Sequence, residues 1–262
     1  IPYLFFAGQI NGTSGYEEAA AQGICAGANA AAHAVGGGYL ELNRTNSMIG
    51  VLIDDLVTKG TIEPYRMLTS RAEYRLLLRH DNADIRLRDY GYGLGLINEE
   101  RYQKFKKKLK DIKNLQEILK NKKIVTSENN LLEQIGTSKI NDGITLYDLL
   151  KRPEVTLDKL IAIGKIEDNY SNEVKEQVEI YIKYEGYINK EKKNVLRMKE
   201  MENILIPENI DYDKVINIAS EAKDKLKKVM PINLGQASRI SGVNPSDIAI
   251  LSVYLKRNKV NE

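Results

Sequence analysis

The pattern of apolar and polar positions divides the chain into a short, nearly uncharged opening segment and a longer helical remainder. Residues 3–7 form an apolar run ending in glycine, which predicts a buried strand. A loop rich in Gly, Asn, Thr and Ser follows. The Ala-rich stretch Tyr16–Val35 then predicts a helix that ends at the glycines 36–38. Strand, glycine-rich loop and helix together are typical of half of a nucleotide-binding unit.

From residue 46 onward, apolar residues recur mostly at helical spacing. Residues 75–79 fit either a strand or a helical turn. One long predicted helix, 171–205, is interrupted at Gly186, and Pro153 suits the first turn of another. The predicted helices cover residues 48–57, 98–122, 126–135, 146–151, 153–163, 171–205 and 212–229, with a helix-turn-helix-like pair over 234–255. Asp81-Asn82 could cap a further helix that runs to the region of Gly91, Gly93 and Gly95.

Composition narrows the class of protein only moderately. The 262 residues are 42% apolar and 29% charged, as in ordinary soluble proteins, and no apolar stretch is long enough to span a bilayer. The single cysteine, Cys25, excludes an internal disulfide and favours a reducing, cytoplasmic location. The net charge is +3, with about −2 on residues 1–45 and +5 on the rest. This small excess does not by itself predict nucleic-acid binding.

The opening loop is the first candidate site. Gly8, Gly12 and Gly15 allow close backbone approach, and the loop leads directly into a helix N-terminus with free N–H donors. Gln9 lies where the predicted strand ends, so its amide could reach a polyol hydroxyl. Spacing alone favours the simpler interpretation, a structural connection.

The residue-by-residue sequence of this loop also resembles a known protein family. Ala7-Gly8-Gln9 is similar to the second fingerprint of two-dinucleotide-binding flavoproteins, with Gln9 in place of the usual acid. The string from Leu4 to Gly23 resembles the GidA/MnmG family, which modifies the wobble uridine of tRNA with a flavin. Further blocks that resemble this family cover residues 51–61, 63–67, 69–79, 81–84, 183–188 and 235–243.

The resemblance implies a mainly α fold. It would begin with the C-terminal edge, strand plus helix, of a Rossmann-like FAD domain and continue into an all-helical C-terminal domain. The implied domains are residues 1–60, 61–206 and 207–262, the last serving to dock a partner or tRNA. The implied FAD contacts are Gly8, Gln9, Asn11, Gly12 and Thr13.

The resemblance also implies an activity, the installation of a carboxymethylaminomethyl group at C5 of wobble uridine. FAD, NADH, a folate one-carbon donor and a GTPase partner of the MnmE/TrmE type would take part. The expected assembly is a homodimer that joins the GTPase in a heterotetramer, away from membranes. The family's catalytic cysteines have no counterpart here, and the sequence has no G-x-G-x-x-G motif. This chain alone is therefore expected to be inactive and to bind no FAD stably.

Arginines are the second candidate site, since six of the twelve fall between residues 66 and 88. If the segment is helical, Arg71, Arg75 and Arg79 share one face. Their guanidinium groups suit bidentate contacts with phosphate. Salt bridges with nearby acids explain the same residues equally well on sequence alone. With the family resemblance, we expect Arg66, Arg71, Arg75 and Arg79 to contact tRNA.

Two further segments allow alternatives. Residues 99–123 hold ten bases and four acids, which is typical of a solvated helix face and less often of a nucleic-acid contact. Residues 234–257 resemble a helix-turn-helix, so the alternative function is a nucleic-acid-binding or protein-interaction module without chemistry. The second helix of this pair is apolar, which favours packing. His33 and His80 are isolated, and no metal site is predicted.

Overall fold

The computed structural model describes residues 3–259, with side chains described as far as residue 257. In these residues the fold is mainly α, as predicted. The helices are α1 Tyr16–Val35, α2 Met48–Thr58, α3 Ala83–Gly93, α4 Glu99–Asn121, α5 Asn129–Gln134, α6 Leu146–Leu150, α7 Leu157–Ala162, α8 Asn172–Lys183, α9 Glu185–Glu202, α10 Ser220–Val229, α11 Leu234–Arg239 and α12 Pro245–Lys259. Short 3₁₀ turns lie at Gly8–Asn11, Thr69–Arg71, Thr126–Glu128 and Tyr212–Lys214.

Local chemistry explains where several helices begin and end. The side chain of Ser47 accepts a hydrogen bond from Gly50 N at 2.8 Å and so caps α2. Helix α1 ends at Gly36, whose φ of 68° is the left-handed conformation that glycine adopts without strain. Gly50 is required for a steric reason, because a Cβ there would lie 2.2 Å from the carbonyl carbon of Asn43.

The chain forms two compact units. The discontinuous unit comprises the residues up to Leu78 and those from Glu191 onward, and the continuous unit is Arg79–Lys190. These limits differ from the sequence-predicted boundaries near residues 60 and 206.

The continuous unit has a single apolar core. Helix α4 contributes Leu115 and Leu119, and helix α8 contributes Val178, all with almost no solvent exposure. A two-stranded antiparallel sheet, β1 Lys123–Ile124 and β2 Ile144–Thr145, closes this core beside α6. The sequence did not predict this sheet, since two-residue strands are too short to show alternation.

The discontinuous unit contains a small core around α1 and α2 and a larger one in its C-terminal helices. Leu52 of α2 packs with Ala21 of α1. In the C-terminal helices, Leu251 and Leu255 of α12 are buried. The apolar second helix of the predicted helix-turn-helix pair is therefore a packed helix, as its composition favoured.

Four details of the sequence prediction are wrong. Residues 3–7 form no strand and are exposed, since the described residues provide no strand for them to pair with. The long helix breaks at Tyr184 rather than at Gly186. The helix expected from Pro153 begins at Leu157, after a cap by Thr156. The helix expected over 212–229 forms only as the 3₁₀ turn Tyr212–Lys214 and α10 Ser220–Val229. The condition for Arg71, Arg75 and Arg79 to share a face, a continuous helix, is not met, because 69–71 is a 3₁₀ turn and 75–77 a hydrogen-bonded turn.

Candidate functional site

The opening loop is held in place by one side chain of α1, Gln22. Its Oε1 accepts hydrogen bonds from Gly8 N at 2.8 Å and from Thr13 Oγ1 at 2.9 Å. Its Nε2 donates to Asn11 O at 3.2 Å. Gln22 is only 5% exposed, so this amide replaces the water that three loop positions would otherwise bind. Sequence reasoning missed Gln22, although an amide on an Ala-rich helix next to a glycine loop was a usable signal.

The loop and two helices enclose a cleft of about 490 Å³. Its walls are mostly apolar, with a few amide and hydroxyl groups, a composition typical of sites for small organic ligands and cofactors. The lining residues are Phe5, Phe6, Ile10, Asn11 and Gly12 from the loop, Gln22, Cys25, Ala26 and Asn29 from α1, and Ile53, Leu56, Val57 and Thr61 from α2 and beyond.

Only two of the five predicted cofactor residues line the cleft. Asn11 and Gly12 lie on the cleft wall, whereas Gly8, Gln9 and Thr13 do not line it. Thr13 is buried and bonded to Gln22, so its role is to shape the loop. The amide of Gln9 is exposed and has no hydrogen-bond partner within the described part of the chain, which leaves it available to a ligand.

Cys25 lies on the cleft wall and is 7% exposed. Burial raises the pKa of its thiol above the usual range, so the thiol stays protonated and weakly nucleophilic at neutral pH. Cys25 therefore acts as a small buried side chain of the cleft wall rather than as a reactive thiol.

A second connection joins the loop to residues 65–67. Tyr65 N donates to Gly12 O at 2.7 Å, and Thr13 pairs with Tyr65 as an isolated parallel bridge. Nearby, the buried carboxylate of Glu18 accepts from Met67 N at 2.6 Å and from Arg66 Nε at 3.1 Å. The Met67 hydrogen bond is the main reason that the pKa of Glu18 lies below its usual range.

A buried ion-pair network lies behind this connection. Arg44, 3% exposed, contacts Asp55 Oδ1 at 2.5 Å and Asp54 Oδ2 at 3.2 Å through Nη1, and Glu73 Oε1 at 2.6 Å through Nη2. Arg239 of α11 reaches Asp54 Oδ1 at 2.8 Å. The network therefore joins the segment that carries the cleft to the C-terminal helices of the same unit.

Asp55 is the most enclosed acid of this network, with a side chain only 1% exposed. Burial raises its pKa, but hydrogen bonds from Lys59 and Tyr65 and the charge of Arg44 outweigh burial and lower the pKa below its usual value. Sequence reasoning missed this cluster because its members lie far apart along the chain.

The predicted nucleic-acid arginines are partly engaged within the protein. Arg66 is bonded to Glu18, and Arg71 lies 4.3 Å over the ring of Tyr65. Arg79 pairs with Asp81 at 3.0 Å. Arg75 is exposed, with no ion pair shown among the described residues. Both sequence interpretations thus keep some support, and for Arg79 the structure favours the salt bridge.

Neither a metal-binding group nor a helix able to span a membrane is found among the described residues. No group of three His, Cys, Asp or Glu side chains there is arranged to hold a metal ion. His33 Nδ1 instead lies 2.7 Å from the hydroxyl of Tyr39. Among residues 3–259, no helix combines the length and apolar character required to cross a bilayer.

Comparison with known proteins decides the family. Residues 99–192 match the model described as the tRNA modifying enzyme MnmG/GidA C-terminal helical domain, and residues 194–262 match its C-terminal helical bundle. Residues 1–37 match the model of glucose inhibited division protein A. The chain belongs to the MnmG/GidA family. The three matched segments together span most of its length.

Individual members of the MnmG/GidA family support this assignment. The chain is 56% identical to tRNA uridine 5-carboxymethylaminomethyl modification enzymes MnmG of Bacillus licheniformis, over 99% of this chain and 42% of that protein, and of Geobacillus kaustophilus, over 98% and 41%. Aquifex aeolicus GidA, in its form II crystal, is 44% identical with a TM-score of 0.77, covering 95% of this chain and 39% of that one. The chain thus spans about two fifths of the length of these relatives.

Proposed function

We propose that the chain is part of a flavin-dependent enzyme that installs a carboxymethylaminomethyl group at C5 of wobble uridine in tRNA. The observation that carries this proposal is the glycine loop, fixed by Gln22 against an apolar cleft, within the segment that matches the family. The relatives that are 56% identical bear the name of this modification enzyme.

The residues of the cleft fit one side of a flavin. A Cβ on Gly12 would lie 3.0 Å from Thr61 Oγ1 and 3.4 Å from Leu56 Cδ2, both on the cleft wall, so glycine keeps this wall open. Asn11, on the cleft wall, and Gln9, whose free amide lies in the same 3₁₀ turn although it does not line the cleft, would provide polar contacts to the ring edge and the ribityl chain. When bound, the flavin would supply the redox chemistry, and this chain would orient it and exclude water from one face.

Other parts of the proposal come from the family resemblance. They include NADH and a folate one-carbon donor as co-substrates, a GTPase partner of the MnmE/TrmE type, a homodimer that forms a heterotetramer with it, and a cytoplasmic location. The C-terminal helices from residue 207 would serve docking, and residues 1–60 would close the FAD domain. The alternative of a helix-turn-helix module is weaker, because Ile248, Leu251 and Leu255 of α12 are buried.

The test uses the full-length protein with Gln9→Ala, beside the matched control Ser14→Ala, an exposed neighbour outside the cleft lining. We expect the Gln9 variant to lose at least half of its bound flavin by absorbance, and its host cells to lose most of the modified wobble nucleoside. The control should match wild type.

A Gln9 variant with wild-type flavin content and wild-type modification would remove Gln9 from the site. In that case Asn11→Ala, on the cleft wall, becomes the deciding variant. If that variant also retains full flavin occupancy, the cleft is not a flavin site. The 262-residue chain alone, which has no G-x-G-x-x-G motif, is expected to purify colourless.

A further inference from the structure

A groove in the continuous unit is lined by three basic side chains, Arg88, Arg101 and Lys107, that form no ion pair shown among the described residues. It lies among α3, α4 and the N-terminal end of α8 and has a volume of about 640 Å³. Five bases and three acids line it, so its net charge is about +2. The lining residues are Asp84, Arg88, Arg101, Lys104, Phe105, Lys107, Lys108, Asp111, Asn169, Ser171, Asn172, Glu173 and Val174.

The charges of this groove differ in how far they are neutralised. Lys108 is held between Asp84 at 2.8 Å and Glu173 at 3.1 Å, so it stabilises the unit internally. Lys104 pairs with Glu100, but both side chains are 75% exposed, and such pairs are weak. Arg101 and Lys107 are exposed and make no ion pair within the described residues. The groove therefore retains positive charge that the protein itself does not neutralise.

Arg88 gives the groove a fixed cationic wall. Its guanidinium carbon lies 5.8 Å from the ring centroid of Phe105, which is itself 3% exposed. A guanidinium held over a buried ring loses less conformational freedom when it binds an anion than a freely rotating side chain does. At the N-terminus of α8 the Ser171 side chain already accepts from Val174 N, which leaves the N–H groups of Asn172 and Glu173, and the exposed Asn172 side chain adds an amide donor.

The groove offers no apolar anchor. Its two apolar lining residues, Phe105 and Val174, are 3% and 2% exposed, so the side chains that a ligand can contact there are charged or polar, together with the aliphatic stems of the lysines and arginines. Protein interfaces usually contain an apolar or aromatic centre, whereas phosphate backbones are bound by Arg, Lys and amide donors without one. A polyanion is the ligand class that fits.

We propose that this groove binds the phosphodiester backbone of tRNA, through Arg88, Arg101 and Lys107. The inference rests on the proposed tRNA-modifying function and gives the RNA a binding surface in addition to the contacts expected of Arg66, Arg71 and Arg75. Each neutralised phosphate contributes about 0.7–0.9 to the slope of log affinity against log salt concentration. Three lost contacts should lower that slope by about two.

The test uses the full-length enzyme with Arg88→Ala, Arg101→Ala and Lys107→Ala combined. The probe is an unmodified tRNA transcript, titrated at several salt concentrations. A matched control carries Lys110→Ala and Lys113→Ala, two exposed residues of the same helix that do not line the groove. We expect the triple variant to bind tRNA about 10- to 100-fold more weakly with the reduced salt slope, while flavin content and unfolding midpoint stay at wild-type values.

Three results would overturn the inference. The first is a triple variant whose tRNA affinity and salt slope equal those of the control variant. If the wild-type enzyme still modifies tRNA, this result refutes the groove but leaves the proposed function intact. A second is lost binding of the partner GTPase with unchanged tRNA affinity, which assigns the groove to a protein. A wild-type enzyme that binds no tRNA would refute both proposals. If the triple variant misfolds, the double variant Arg101→Ala with Lys107→Ala preserves the contact of Arg88 with the Phe105 ring. The same tRNA titration of this double variant then tests the groove.

Discussion

Replacing Arg44 with Met should destabilise the discontinuous unit by about 3 kcal/mol, the lower end of the range for breaking a buried ion pair. The cost falls mainly on Asp55, whose side chain is 1% exposed and loses its 2.5 Å contact. Lys59 and the Tyr65 hydroxyl remain at 2.8 Å and limit the loss. Glu73 is 41% exposed, so water replaces the guanidinium there at little cost.

The assay is urea unfolding of wild type and variant at neutral pH, followed by circular dichroism. With a urea slope of about 2–3 kcal/mol per M, the midpoint should fall by about 1 M or more. Arg75→Met is the matched control, because Arg75 is exposed and forms no ion pair shown among the described residues, and it should shift stability by less than about 0.5 kcal/mol.

The reasoning would be refuted if Arg44→Met cost less than about 1 kcal/mol. A double variant, Arg44→Met with Asp55→Leu, separates the cause. If an uncompensated carboxylate is responsible, removing it should restore part of the stability, because an apolar pair avoids the charge desolvation. A double variant less stable than the single one by the full cost of Asp55→Leu would show that packing, not charge, is responsible.

Three further expectations concern the loop, a close contact and acid. Gln22→Leu leaves the Gly8 N–H and the Thr13 hydroxyl without their hydrogen-bond acceptor. It should lower the free energy of unfolding in urea by about 2–3 kcal/mol and reduce the flavin content of the full-length protein. Unchanged values would mean that the loop keeps its shape without Gln22. Gly50→Ala places a Cβ 2.2 Å from the backbone, so thermal unfolding should show a loss of at least 2 kcal/mol, whereas Gly93→Ala, with open space around it, should be mild. Asp55 and Glu18 both have a lowered folded-state pKa. Their stabilisation is present above the unfolded-state pKa of about 4 and is lost as the pH falls through the lower folded-state values, so the unfolding midpoint should drop progressively once the pH falls below about 4.

The sequence predicted those parts of the fold that depend on local pattern. The Ala-rich run and its glycines gave helix α1 with both ends correct, because the signals that begin and end it are adjacent in the chain. The strand at residues 3–7 failed for the opposite reason. A strand is stable only beside a hydrogen-bonded neighbour, and an apolar run does not reveal whether one is present.

The same distinction between local and long-range signals applies to the candidate site. The sequence located the glycine loop, because glycine and the helix N-terminus carry a local signal. It did not find Gln22, Glu18 or Arg44, whose roles depend on contacts with residues distant in sequence, such as the bond from Arg66 to Glu18, 48 positions apart. Buried polar partners are properties of the folded structure, and a single sequence without spatial information does not pair them.

The position of Asp54 between two arginines has a consequence for the covalent continuity of the chain. Arg44 precedes it by 10 residues and Arg239 follows it by 185, with the whole continuous unit inserted between Asp54 and Arg239. A single backbone cut within that insertion would leave both ends of the discontinuous unit still joined by buried charge. The C-terminal helices would then remain associated with the cleft segment as a non-covalent two-fragment protein.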